Sequence, residues 1–253
     1  MSISNYIQTS ASFLMQPTKR RLIGLARKLS KKKGLEIGGP SSLFGLRGYF
    51  PVYIFAGQVD GVNFSNETVW EGKLDEGKNF QYFPGKTGFQ YIAEASDLSR
   101  IEGGVYDFVL SCHSLEHVAN PIQALKQWMR TLKPGGELIL VLPDKENTFD
   151  NKRPYTTLQH LISDYENNVD EHDTTHFNEV IELHDLSKDT GVTSKDELEK
   201  RTLGNFENRC VHHHVFSLSL VKEMLEYCGF DIIYQQKGTP FHLITVAKKR
   251  KGE

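Results

Sequence analysis

Cysteine is scarce in this chain, long apolar runs are missing and net charge is close to zero, and each shortage removes a class of protein. The three cysteines, Cys112, Cys210 and Cys228, are an odd number without CxxC spacing. A disulfide framework is therefore not expected, and a reducing compartment follows. No run of about eighteen apolar residues suggests a membrane-spanning helix, and the N-terminus lacks the apolar core of a signal peptide, so a cytoplasmic protein is expected. A formal net charge of -2 argues against a protein whose main partner is nucleic acid.

What is present suits an ordinary soluble globular protein. The 253 residues, 38% of them hydrophobic, are enough for one large domain or a domain with an insertion. Charge is unevenly spread. Basic residues gather in Lys19-Arg20-Arg21, Arg27-Lys28, Lys31-Lys32-Lys33 and the tail Lys248-Lys249-Arg250-Lys251, whereas residues 150–199 are acidic. Residues 1–33 read as a basic helical segment, one or two helices from Ile3 to Leu29 broken near Pro17, because Leu22, Ile23, Leu25, Ala26 and Leu29 recur at helical spacing. Its basic face is either a solvated surface over the domain or a peripheral contact with anionic membrane.

From Gly34 onward, short apolar runs alternate with amphipathic segments, the pattern of a parallel sheet flanked by helices. Strands are expected at 34–37, 58–64, 89–93, 107–111, 137–142, 230–235 and 241–248. Helices are expected at 122–132, stopped by Lys133-Pro134-Gly135-Gly136, and at 217–228, closed by Gly229. The last two strands share so short a connection that they must be antiparallel, which makes the sheet mixed. At the end of the first strand, Gly34-Leu35-Glu36-Ile37-Gly38-Gly39-Pro40-Ser41-Ser42 forms a glycine turn that lets a nucleotide-like ligand approach the backbone.

In this order, the chain resembles the class I S-adenosylmethionine-dependent methyltransferases, in particular the type 11-like group with an SLEH-type motif after the fourth strand. The stretch that carries the resemblance is Tyr106-Asp107-Phe108-Val109-Leu110-Ser111-Cys112-His113-Ser114-Leu115-Glu116-His117-Val118, followed by Asn120-Pro121 and Leu132-Lys133-Pro134-Gly135-Gly136. It covers Gly34 to Pro143 and resumes over Ser217 to Lys248. The resemblance implies a Rossmann-like α/β fold with a mixed seven-stranded sheet whose last strand is antiparallel. It also implies a methyltransferase domain over 34–253 with a substrate insertion at about 144–215, and S-adenosylmethionine as cofactor.

Cofactor contacts are implied residue by residue. Gly38, Gly39 and Pro40 would give backbone access at the methionine and ribose end, with Glu36 orienting the turn or meeting the amino group, and Ser111 closing the fourth strand. The family normally holds the ribose diol with a carboxylate at the end of the second strand, but here Asn63 falls at that position and Asp60 three residues earlier. Asn63 is the first candidate and Asp60 the second. Glu94-Ala95-Ser96-Asp97-Leu98 matches the adenine loop, with Glu94 as the acceptor and Asp97 either beside it or capping the next turn.

The reactive end is expected just after the fourth strand, where His113 is the candidate base. His113-x-x-Glu116-His117 presents three ligand types at spacings that share one face of a helix, able to converge on a divalent cation. The segment looks like the ExxEH sequence that goes with metal dependence in the ubiquinone-biosynthesis O-methyltransferases and the small-RNA 2'-O-methyltransferases. His113 stands where that pattern has its first glutamate, which favours a metal content with imidazole, such as manganese, iron or zinc. The insertion is rich in histidine, with His160, His172, His176, His184 and His212-His213-His214. From it, His176 is the candidate fourth metal ligand and catalytic partner. The rival reading keeps metal out and makes these residues a pocket for a polyhydroxylated acceptor. Arg153-Pro154-Tyr155 is a substrate contact or a plain loop, and Phe149, Tyr155, Tyr165 and Phe177 are candidates to stack on a ring face.

The expected activity is O-methylation of a hydroxyl on a sugar, glycan or other polyhydroxylated small molecule. RNA 2'-O-methylation, small-molecule N-methylation and catalytically silent cofactor binding remain as alternatives.

Overall fold

The computed structural model describes residues 17–252. In chain order it has helix α1 (Pro17–Lys28), strand β1 (Lys33–Ile37), the short helix α2 (Val52–Phe55) and β2 (Gln58–Asn63). Next come β3 (Glu67–Thr68), β4 (Gly72–Lys73), β5 (Gly77–Phe83), β6 (Lys86–Ile92) and β7 (Tyr106–Cys112). Helix α3 (Pro121–Thr131) leads directly into β8 (Leu132–Pro143), and the insertion then carries α4 (Leu158–Glu166), α5 (Phe177–Leu183), α6 (Lys195–Leu203) and α7 (Asn205–Asn208). Helix α8 (Leu218–Tyr227) precedes the last strands, β9 (Phe230–Gly238) and β10 (His242–Lys249).

Eight strands form the main sheet in the order β5-β6-β2-β1-β7-β8-β10-β9, and β3 and β4 pair as a separate hairpin. Strands β6, β2, β1, β7 and β8 are parallel, whereas β10 runs antiparallel to β8 and β9, and β5 antiparallel to β6. The chain steps outward from β1 through β2 to β6 and then crosses to the other side of β1 as β7. A crevice therefore opens beyond the carboxyl ends of β1 and β7, where open α/β sheets bind ligands.

Period-two alternation divides the core into two layers. On β8, Leu138, Leu140 and Leu142 face Trp128 of α3 and Leu225 of α8, while Ile139 and Val141 face Leu22 and Ala26 of α1 together with Phe44. Full burial of a side chain such as Trp128 stabilises the fold by about 2–3 kcal/mol. Its indole N–H does not go unpaired, because it donates to the Ala95 carbonyl at 2.9 Å.

The expected mixed sheet is present, with eight strands where seven were expected. The added strand, β5, alternates as a half-buried edge strand should, with Phe80 and Tyr82 turned inward. Two further boundaries differ. The Lys133-Pro134-Gly135-Gly136 segment belongs to the start of β8, so the helix before it ends at Thr131. Of the proposed N-terminal helices, only α1 falls within the described residues, and its apolar side is buried in the core through Leu22, Leu25 and Ala26. No helix among the described residues is long and apolar enough to cross a membrane.

Candidate functional site

The turn after β1 is shaped by Gly38, whose φ of +74° is the left-handed conformation that favours glycine. A Cβ at this position would lie 1.9 Å from the hydroxyl oxygen of Ser114. Beneath the turn, fully buried Glu36 accepts the Ser41 N–H at 2.9 Å and the Tyr53 hydroxyl at 2.6 Å. Burial pushes its carboxyl up to about 8, and the two hydrogen bonds oppose the rise. Glu36 thus orients the turn from behind the cavity wall, and a Cβ on Gly39 would lie 2.2 Å from its carboxyl carbon.

In front of the turn is a cavity of about 700 Å³. Of the residues expected at the cofactor, Gly38, Pro40, Asn63, Glu94 and Ala95 line it. The Asn63 amide nitrogen donates to the Gly39 carbonyl at 3.0 Å, tying the end of β2 to the turn and leaving its amide oxygen as an acceptor. Glu94 accepts the Arg209 guanidinium at 2.8 and 3.3 Å, and Arg209 also pairs with Glu171 at 2.8 Å and lies over the Phe64 ring. The segment between β8 and α8 therefore reaches across to the loop after β6.

Five expected cofactor residues do not line this cavity: Glu36 and Gly39 behind the turn, and Asp60, Asp97 and Ser111 elsewhere. Asp60 lies roughly 10 Å back along the parallel strand, where Lys33, Tyr106, Gln58 and the Phe89 N–H surround it. Burial opposes its ionisation, but these bonds hold its carboxyl below the usual range. Asp97 is exposed and caps its own turn by accepting the Ser99 N–H at 3.0 Å. Ser111 is enclosed within the sheet at 0% exposure.

At the other end of the cavity, His113 adopts a left-handed backbone with φ of 52°, and the turn after it, Leu115–His117, is a 3₁₀ helix. That tighter geometry separates the three groups expected on one α-helical face. His113 Nε2 meets His242 Nδ1 of β10 at 2.9 Å, and its Nδ1 lies 3.4 Å from Glu116 Oε1. Burial, together with repulsion from His113, pushes His242 down to about 4. Glu116 and His117 face instead toward His212 of the insertion, and the ligand atoms of these three residues lie within 4.8 Å of one another.

The second group has a definite proton arrangement. His117 Nδ1 faces the Val211 carbonyl at 3.1 Å and His212 Nδ1 faces Asp150 Oδ2 at 2.5 Å, so both carry hydrogen on Nδ1. Their Nε2 atoms are then the ligand nitrogens. Burial and the neighbouring His212 push His117 down to about 3, and Asp150 raises His212 against the effect of burial. Glu116 Oε2 is buried with no hydrogen-bond partner. His212 is held in place because the His213 N–H donates to the Glu116 carbonyl at 2.8 Å, and because Arg153 pairs with Asp150 while donating to the His212 carbonyl. Arg153, 1% exposed, is an internal tie and not a substrate contact or a plain loop residue.

His176 is not part of this assembly. It sits at the start of α5 beside His160, Asp164 and His214, away from the expected partners His113, Glu116 and His117. Burial and nearby His213 push His176 down to about 4. Sequence reasoning missed His212 as the partner of Glu116 and His117, although it had singled out the triplet; it also missed His242, Arg209 and Trp70. Trp70, 53% exposed on the β3–β4 turn, lines the cavity with its ring 5.2 Å from that of His117. Of the candidate stacking residues, Phe149 lines the cavity and stacks on His184, whereas Tyr155 is exposed and bonded to Glu146.

Known proteins agree with this architecture. Residues 45–140 match the model of a methyltransferase domain. A sterol 4-C-methyltransferase of Caenorhabditis elegans is 37% identical over 62 residues, a stretch spanning 24% of this chain and 19% of that protein's length. Among solved structures, an S-adenosylmethionine-dependent methyltransferase from Aquifex aeolicus superposes with a TM-score of 0.50 at 13% identity, covering 95% of this chain and 97% of its own. One from Mesorhizobium loti gives 0.51 at 12%, covering 91% and 96%. At such identities the likeness is one of fold. Residues 45–140 thus match a methyltransferase domain, and the antiparallel β10 between β8 and β9 belongs to a fold shared with solved S-adenosylmethionine-dependent methyltransferases.

Proposed function

We propose that the chain transfers the methyl group of S-adenosylmethionine to a hydroxyl of a polyhydroxylated small molecule, a sugar or glycan, with a divalent metal held by Glu116, His117 and His212. One observation carries this reading. The buried, unpartnered Glu116 Oε2 and two imidazoles with their Nδ1 atoms already bonded occupy the wall of the cavity that holds Asn63 and Glu94. Two imidazole nitrogens and one carboxylate with the remaining positions open suit iron, manganese or zinc.

The cofactor side also fits its ligand. Gly38 leaves the backbone open, the Asn63 oxygen is an acceptor for a ribose hydroxyl, and Glu94 retains lone pairs for the adenine amine beside its pair with Arg209. When bound, the cofactor supplies an electrophilic methyl group and the metal a Lewis acid that lowers the pKa of an acceptor hydroxyl. The protein's own part is alignment and proton removal. His113, backed by Glu116 at Nδ1, gives up its Nε2 contact with His242 and takes the hydroxyl proton on Nε2. Trp70 offers an aromatic face for a sugar ring, and Asn147, Thr148, Lys188 and Asp189 give the acceptor side a polar wall.

The test is formation of S-adenosylhomocysteine with a panel of free sugars and aryl glycosides, using wild type, His113→Ala and Glu116→Gln. Both variants are expected to lose at least about a hundredfold in turnover while keeping cofactor affinity. Turnover with an amine acceptor that is indifferent to His113→Ala would replace this reading with N-methylation.

A further inference from the structure

A second convergence of ligands lies in the insertion, outside the methyl-transfer cavity. His160 and Asp164 are one turn apart on α4, His176 stands at the start of α5, and His214 comes from the extended segment before α8. His160 Nε2 is 3.2 Å from His176 Nε2 and 3.3 Å from Asp164 Oδ2, and His214 Nε2 is 3.0 Å from that same oxygen. The three imidazole rings form a near-equilateral triangle, with centroids 5.0, 5.2 and 5.5 Å apart.

We propose that His160, Asp164, His176 and His214 form a closed structural site for a divalent transition metal, zinc being the expected occupant. A tetrahedral zinc with bonds of about 2.0–2.1 Å spaces its ligands roughly 3.3 Å apart, which the three contacts above match. Hydrogen bonding alone satisfies this group poorly. Asp164 Oδ2 faces two ring nitrogens while His160 Nε2 faces both that oxygen and the nitrogen of His176, and one proton on His160 serves only one of them. One cation at the centre satisfies all four atoms together.

Four protein ligands leave no open position, which is the pattern of structural zinc and not of catalytic zinc. The metal joins three separate parts of the insertion, α4, the start of α5 and the segment that also carries His212. It therefore supports the cavity without entering it. This site is independent of the one proposed at Glu116, His117 and His212.

The experiment compares untagged wild type, the variant His160→Gln/His176→Gln and the variant Glu116→Gln/His117→Gln. Metal content is measured by mass spectrometry, and visible absorption is recorded after cobalt replaces the native ion. Wild type should hold about two ions, one per site; Glu116→Gln/His117→Gln should keep about one, with tetrahedral cobalt bands, and the His160 variant should lose those bands and one ion. If the His160 variant does not fold, titration of metal-free Glu116→Gln/His117→Gln protein with cobalt alone decides the matter. Absence of tetrahedral bands there would overturn the assignment, as would tetrahedral bands that persist in the His160 variant or metal held only through Glu116.

Discussion

Glu36 makes the pH dependence of stability a sharp test of how the glycine turn is built. The side chain is fully buried, and its nearest partners are the neutral Ser41 N–H and Tyr53 hydroxyl. Burial lifts its carboxyl from 4.5 to about 8, so between these values the folded protein keeps a proton that the unfolded chain releases. Stability from this group is thus fully present below about pH 4.5 and is lost as pH rises through 8. The gap of about 3.5 pH units, at roughly 1.4 kcal/mol per unit, sets an upper bound of about 5 kcal/mol, or roughly 10–20 °C in Tm for a domain of this size. Glu36→Gln mimics the protonated form, its oxygen accepting from Ser41 and its nitrogen donating to Tyr53. Denaturant unfolding of cofactor-free protein from pH 5 to pH 9 should show a falling curve for wild type and a flatter one for the variant. At pH 5 the two should agree within about 1 kcal/mol, with Gln more stable at pH 9. Parallel curves, or a cost above about 2 kcal/mol at pH 5, would refute the reasoning.

Arg153→Met leaves Asp150 buried without its cation and removes donors from the His212 and His213 carbonyls, so a loss of about 3–5 kcal/mol is expected in chemical denaturation; a loss below about 1 kcal/mol would show that the ion pair does not hold the insertion. Asn63→Asp brings this chain closer to the acidic residue usual in the methyltransferases it resembles, yet it should weaken cofactor binding by about tenfold or more by calorimetry, because a carboxylate repels the Gly39 carbonyl that the amide now binds. Tighter binding would show that the Asn63–Gly39 bond does not matter.

Much of this architecture was legible in the sequence because it depends on local pattern. Apolar runs separated by helical segments gave the parallel strands, and the brief Gly238-Thr239-Pro240 connection gave the antiparallel end of the sheet. Strand β5 was just as readable from the alternation of Phe80 and Tyr82, and was missed because it lies in a polar stretch. The metal-ligating groups were harder. Spacing suggested an α-helical face for His113, Glu116 and His117, but a left-handed His113 and a 3₁₀ turn redirect the first toward His242. Neither the pairing of His117 with His212 nor the grouping of His176 with His160 and His214 is a local property. Both depend on where the insertion lies over the sheet, fixed by contacts such as that of the His213 N–H with Glu116, 97 positions apart in the chain.

Calorimetric titration of the untagged protein with S-adenosylmethionine, before and after chelation and alongside Glu116→Gln/His117→Gln, tests the central claim most directly. The account predicts saturable one-to-one cofactor binding in every case, with a metal lost specifically from the Glu116, His117 and His212 group in the variant. Failure of wild type to bind the cofactor would contradict the methyltransferase reading itself, and an unchanged metal content in the variant would remove the metal from the catalytic cavity.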